Sequence, residues 1–214
     1  QVDPCEFPKF YNIAQVVTAP VLAVSTNSPY LFGRQLWRET RIALFQQSVD
    51  TRRQTEHLRQ APARVTFGAE WVKESVLEIY REDIARFKVL LGLSGECEDP
   101  FAALEEGVPP KLQALQLHTG TVYRWNRACY GVFEGKPHLR IENRVIPAGP
   151  TTLDQVANSA FYFGLMSAML EEFDDVTRHI EFSQAKGNFI SAARNGLNAQ
   201  FEWLDGGVIP AHKL

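Results

Sequence analysis

The run Thr121-Val-Tyr-Arg124-Trp-Asn-Arg127-Ala-Cys129-Tyr-Gly-Val-Phe133-Glu-Gly-Lys-Pro137-His138-Leu-Arg140-Ile-Glu142-Asn-Arg144-Val-Ile146 decides how the chain is read. Thr121 to Phe133 is rich in β-branched and aromatic residues and reads as a strand. Glu134-Gly135-Lys136-Pro137 reads as the turn of a hairpin, and His138 to Ile146 as the returning strand. Side chains alternate faces along a strand, so His138, Arg140, Glu142 and Arg144 share one face while Leu139, Ile141 and Val145 share the other. If Phe133 pairs with His138, Arg127 falls opposite Arg144 and Cys129 opposite Glu142. A polar face is the ordinary solvent side of an antiparallel sheet. The guanidinium content sets this one apart: the partner strand adds Arg124 and Arg127, Arg41 can join from elsewhere, and one carboxylate cannot balance so many cations. A triphosphate would.

Helical patterns surround the hairpin, which makes the fold class α+β: an antiparallel hairpin packed with several helices. Phe7, Phe10, Tyr11, Ala14 and Val17 have helical spacing and carry a first helix to about Pro20, with Asp3 as N-cap, Pro4 at the first helical position and Glu6 three after the cap. Val21 to Ser25 is a short β-branched run ending in the turn signal Asn27-Ser28-Pro29. Leu36 to Gln47 is compatible with a helix. Asp50 to Ala63 is polar, carries or adjoins Arg52, Arg53, Arg59 and Arg64, and reads as a long surface loop. The clearest helical stripe runs from Trp71 to Leu91 through Val72, Val76, Ile79, Ile84, Phe87 and Leu91. Gly92 to Pro110 is a connector, and Lys111 to Leu117 a short helix. Beyond the hairpin, Thr151 and the residues after it form a capping box that opens a helix to about Leu170, in which Gly164 allows close packing. A last helix is expected from Ala185 to Trp203.

The 214 residues carry 22 basic and 25 acidic side chains, a net charge of −3. That leaves no basic footprint for nucleic acid or a membrane surface. Ile13 to Ser25 is the longest apolar stretch, and Gln15, Thr18 and Pro20 interrupt it well short of a membrane span. Cys5, Cys97 and Cys129 match neither a disulfide framework nor a metal knuckle, and read as incidental or buried thiols of a reducing, cytoplasmic compartment. The chain opens at Gln1 and enters a helix signal at once, as an excerpt of a longer protein would.

Several of these residues resemble the glutamate-cysteine ligase family of the carboxylate-amine ligase type. One segment runs Asn27-Ser28-Pro29, Gly33, Arg41-Ile42, then Asp50 and Arg52 or Arg53. The other runs Leu139-Arg140-Ile141-Glu142-Asn143-Arg144, Gly149-Pro150 and the helix through Phe161-Tyr-Phe-Gly-Leu165; His118 resembles the His of a turn just before the hairpin. The resemblance covers residues 12 to 53 and 115 to 170. It implies a glutamine-synthetase-like catalytic domain and an ATP-dependent reaction in which a glutamate side-chain carboxylate takes the γ-phosphate and a cysteine amine captures the acyl phosphate. It implies Glu142 as a ligand for Mg²⁺ (or Mn²⁺), Arg144 with Glu142 as catalytic residues, Arg144, Arg140 and Arg124 as phosphate binders, and Asn27, Arg41 and His118 as substrate contacts.

The family's Glu-x-Glu strand and a His-bearing strand are missing, and no Gly-rich phosphate loop replaces them. The 214 residues therefore read as a single partial catalytic domain whose partner is the amino-terminal part of the same polypeptide. The alternative is a non-catalytic relative acting as a nucleotide-binding or interaction module. The implied partners are small molecules (glutamate, cysteine or another amine), with no nucleic acid or membrane, and an oligomer of identical chains is compatible with the reading.

Overall fold

The computed structural model of the chain describes residues 1–50, 52, 62–95 and 97–214. The elements run α1 (Phe7–Ser25), β1 (Tyr30–Leu31), β2 (Arg34–Gln35), α2 (Thr40–Ser48), β3 (Val65–Thr66), α3 (Leu77–Arg86), α4 (Pro100–Glu105), α5 (Gln113–Gly120), β4 (Tyr123–Arg124), β5 (Asn126–Phe133), β6 (Lys136–Asn143), α6 (Thr152–Glu172), α7 (Phe182–Asn195), β7 (Gln200–Glu202) and β8 (Val208–Pro210). β3 pairs with β4 in parallel; β1 with β2, β5 with β6 and β7 with β8 are antiparallel. The fold is α+β, as the alternation of patterns requires.

Helix α1 is the centre of the molecule, buried at every position from Tyr11 to Ala23 and packed against both α6 and α7. A helix apolar on all sides has to sit inside. It runs straight through Pro20, where the sequence places its end, and takes up Val21–Ser25, where the sequence suggests a β-branched run. Proline removes one intrahelical hydrogen bond and normally kinks a helix. Here Val21, Leu22 and Ala23 are buried in the core and the Ser25 hydroxyl donates to the Val21 carbonyl at 2.7 Å, so tertiary packing outweighs the local penalty. At the other end Asp3 accepts from the Cys5 N–H in a turn ahead of the helix, rather than capping it.

The polar residues buried on α1 orient the hairpin. Tyr11 donates its hydroxyl to the Asn126 carbonyl at 2.9 Å, and the Asn126 amide donates to Gln15 Oε1 at 2.7 Å and Thr18 Oγ1 at 2.9 Å. Asn143, across the hairpin, donates to Asn126 Oδ1 at 2.9 Å. The base of the β5–β6 ribbon is thus fastened to the most buried helix. A two-stranded ribbon alone is marginal in water, and this anchorage supplies what it lacks.

The stripe read over Trp71–Leu91 contains only a ten-residue helix, α3. Glu78 explains the late start: its carboxylate accepts from the backbone N–H groups of Lys73, Glu74 and Ser75, at 3.0, 2.6 and 2.8 Å, and holds the preceding residues in a turn. Ser75-x-x-Glu78 has the spacing of a capping box. Phe87 ends the helix in an extended conformation, leaving Ile84 and Leu91 in solvent. The connector after it contains α4, capped by Asp99. Helix α6 has its Thr151–Asp154 capping box, but a Cβ at Gly164 would meet nothing within 4 Å among the described residues. The last helix stops at Asn195, and Phe201 reaches the core from β7. Most of the expected Asp50–Ala63 loop, Arg53 and Arg59 included, lies outside the described residues. No described helix is long and apolar enough to cross a membrane.

Candidate functional site

The hairpin turn is two residues, not four. Glu134 and Gly135 both have positive φ, 49° and 72°, the geometry of a type I′ turn whose twist matches that of the strands. Phe133 therefore pairs with Lys136 instead of His138. A shift of two residues keeps every side chain on its expected face but changes who sits opposite whom. Arg127 faces Glu142, and Cys129 faces Arg140. Two arginines set opposite each other would repel; the observed register puts a cation against the carboxylate. Leu139 and Ile141 pack on the apolar side against a buried cluster that includes Phe7, Tyr11, Val76 and Tyr80.

On the charged side Glu142 lies between two guanidiniums: Oε2 is 3.2 Å from Arg127 Nε and Oε1 is 3.2 Å from Arg144 Nε. Partial burial pushes the Glu142 carboxyl up, but Arg127 and Arg144 outweigh it and hold the pKa below the usual value, so the group is ionised. Cys129 Sγ accepts from Arg127 Nε at 3.0 Å and lies 3.4 Å from Glu142 Oε2, positioned to donate to it. Burial raises the thiol's pKa in spite of Arg127, so Cys129 sits there as a protonated donor rather than a reactive thiolate. Cys5 and Cys97 are exposed. Arg140, one pleat away, is exposed and forms no ion pair among the described residues; its Nη1 lies 2.8 Å from His138 Nε2. His138 lies flat across Gly131, where an added Cβ would come within 2.9 Å of the imidazole.

A second cluster grips the strand exit. Glu39 is fully buried and accepts from the Asn27 N–H at 2.8 Å and from Arg41 Nε at 3.0 Å. Arg41 in turn donates through Nη2 to the Val145 carbonyl, and the Asn27 amide donates to the Ala148 carbonyl at 2.8 Å. Asn27 and Arg41 thereby come together, clamped on the backbone just beyond Arg144. Glu39, which organises both, was missed, because a single carboxylate before a helix carries no pattern signal.

Arg124 and His118 stand apart from the charged face. The strand breaks at Trp125, so Arg124 belongs to β4 and points into the interior, where it holds Asp83 through Nε at 3.0 Å and Nη2 at 2.7 Å, and Glu82 at 2.8 Å. Such a buried bidentate pair is structural in geometry. His118 lies in the last turn of α5; its Nε2 meets the Phe87 carbonyl at 3.0 Å and its buried Nδ1 has no partner among the described residues.

Among the described residues no group of three or more metal-ligating side chains forms. Magnesium commonly binds through one or two carboxylates with waters and phosphate oxygens completing its shell, and Glu142 fits one such position. The half-buried guanidiniums of Arg127 and Arg144 and the exposed one of Arg140 have the donor geometry that suits phosphate. A family model, glutamate-cysteine ligase family 2, matches residues 8–214, and the chain belongs to that family. Its members are carboxylate-amine ligases, a class that generally uses ATP and Mg²⁺. No curated protein and no solved structure matches the chain.

Proposed function

We propose that the chain is the carboxy-terminal portion of the catalytic domain of an ATP-dependent glutamate–cysteine ligase of the cytoplasm, with the curved sheet of a glutamine-synthetase-like fold completed by residues outside these 214. The glutamate side-chain carboxylate attacks the γ-phosphate, ADP leaves, and the cysteine amine then displaces phosphate from the acyl phosphate to give γ-glutamylcysteine. Arg144 and Arg140 bind the phosphates, and Arg144 offsets charge developing on the transferred group. Glu142 would hold Mg²⁺ through its carboxylate, and the ion would supply charge neutralisation at the phosphates. Residues other than those described supply the remaining metal ligands, since the described residues form no group of three or more ligating side chains. Asn27 and Arg41 bind the amino-acid substrate with the donors their backbone contacts leave over. Arg124 and His118 support the fold from within.

The observation that carries this reading is Glu142 held ionised between Arg127 and Arg144 on a half-buried ribbon face, in a chain of this family. The test is ADP release by the intact protein with glutamate and a panel of amines. Release that requires glutamate and is fastest with cysteine is expected; equal release with unrelated amines would contradict the cysteine assignment.

A further inference from the structure

Arg127, Arg140 and Arg144 share the charged side of the ribbon but are held in two different ways. Arg127 and Arg144 divide the Glu142 carboxylate between them, so part of their charge is cancelled within the protein. Arg140 forms no ion pair among the described residues, yet its Nη1 lies 2.8 Å from His138 Nε2. Glu98 lines the same cleft as these two side chains, but its carboxylate accepts from the Lys111 backbone N–H at 2.7 Å and pairs with neither. A guanidinium has donors only, so the ring nitrogen that faces it must be the acceptor. That makes His138 neutral, with its proton on Nδ1. The choice of partner matters, because a carboxylate would hold Arg140 and also cancel the charge that a phosphate needs. A neutral imidazole fixes the guanidinium and leaves its charge whole.

The opposite strand is shaped to receive that ring. Gly131 pairs directly with His138, and an added Cβ would stand 2.9 Å from the imidazole Cε1 and Nε2 and 3.6 Å from Arg140 Nη1. Glycine weakens a strand interior and commonly marks a place where another group approaches closely. Here the approaching group is the imidazole. Side chains two apart on one strand, and those directly across from them, are the neighbours that a ribbon face brings together. Gly131, His138 and Arg140 therefore form one local unit that the hairpin builds by itself.

We propose that His138 is a positioning residue for Arg140: seated on Gly131, it accepts a hydrogen bond through Nε2 and holds the guanidinium ready for a phosphate of the nucleotide. The inference rests on the reading of Arg140 as a phosphate binder. A long, exposed side chain loses rotamer freedom when it binds a ligand, and fixing it beforehand removes that cost from the binding step. Arg144, not Arg140, is placed against the transferred group, so the position of Arg140 should matter to KM for ATP more than to kcat.

Two measurements on the intact protein test this. Ring-nitrogen NMR in mildly alkaline solution, with the His138 signals assigned by their loss in His138→Gln, should show the proton on Nδ1; a proton on Nε2 would overturn the proposal whatever the chain catalyses. In the ligase assay, His138→Phe keeps a flat ring over Gly131 but has no acceptor, and should raise KM for ATP about three- to tenfold with a smaller effect on kcat. His138→Gln, whose Oε1 can accept in place of Nε2, should recover most of that loss. In an Arg140→Gln background His138→Phe should add nothing further, because the two residues act as one. If His138→Phe leaves KM for ATP at the parent value while Arg140→Gln raises it, the positioning role is wrong and the phosphate role of Arg140 stands. If Arg140→Gln has no effect on that KM either, the phosphate role of Arg140 fails, and the proposal with it.

Discussion

Arg127 Nε lies 3.2 Å from Glu142 Oε2, directly across the hairpin. Together with Arg144 this gives the charged face its chemistry: a carboxylate that stays ionised, surrounded by more positive charge than it can neutralise. Its effect on stability should be visible in acid. Partial burial works against the ionised form of Glu142, and Arg127 and Arg144 more than compensate, so the folded pKa lies below that of the unfolded chain. A depressed pKa stabilises the fold above the unfolded value of about 4.3, and this stabilisation is lost as pH falls through the lower folded value. Denaturation curves of the parent and Glu142→Gln should differ modestly at neutral pH, since the pair is partly in solvent, and converge in acid. A gap independent of pH would contradict the pairing.

Glu39→Gln keeps the size of the side chain and removes the charge that Arg41 and the Asn27 N–H share. The variant should lose roughly 2 kcal/mol in a urea titration, as expected for hydrogen bonds to a buried charged group. An unchanged midpoint would mean that the strand exit is held by other contacts.

Arg124→Met leaves Asp83 buried without its partner and should cost about 3–5 kcal/mol, most of it recovered by adding Asp83→Leu. If the single variant kept its stability and lost only nucleotide affinity, the interior role of Arg124 would be wrong.

Gly131→Ala should displace the His138 ring, since a Cβ there would stand 2.9 Å from Cε1 and Nε2. We expect a shifted His138 ring signal by NMR and a loss of order 1 kcal/mol in stability. An unmoved ring would show that the strand backbone gives way instead.

The two faces of β6 were legible because period-two alternation survives a register error of two residues. The partner across Glu142 was not, because it depends on whether the turn has two residues or four, and Glu134 in a left-handed conformation gives no compositional warning. Arg124 was misplaced by grouping it with Arg127: period-two alternation sets residues three apart on opposite faces, and Arg124 points inward to Asp83. The continuation of α1 through Pro20 shows the limit of local signals from the other side: a single breaker yields when both flanks are buried. The clamp built on Glu39 joins segments more than 100 residues apart, from Asn27 to Ala148, and no spacing rule reaches that far.

The central claim is that Glu142 and its arginines serve phosphoryl transfer. The most direct measurement is glutamate- and cysteine-dependent ADP release by the intact protein with Glu142 replaced by Gln. We predict a loss of at least about hundredfold in turnover, the scale of removing a group that stabilises transition-state charge, with the variant still folded. Turnover equal to that of the parent would contradict the assignment.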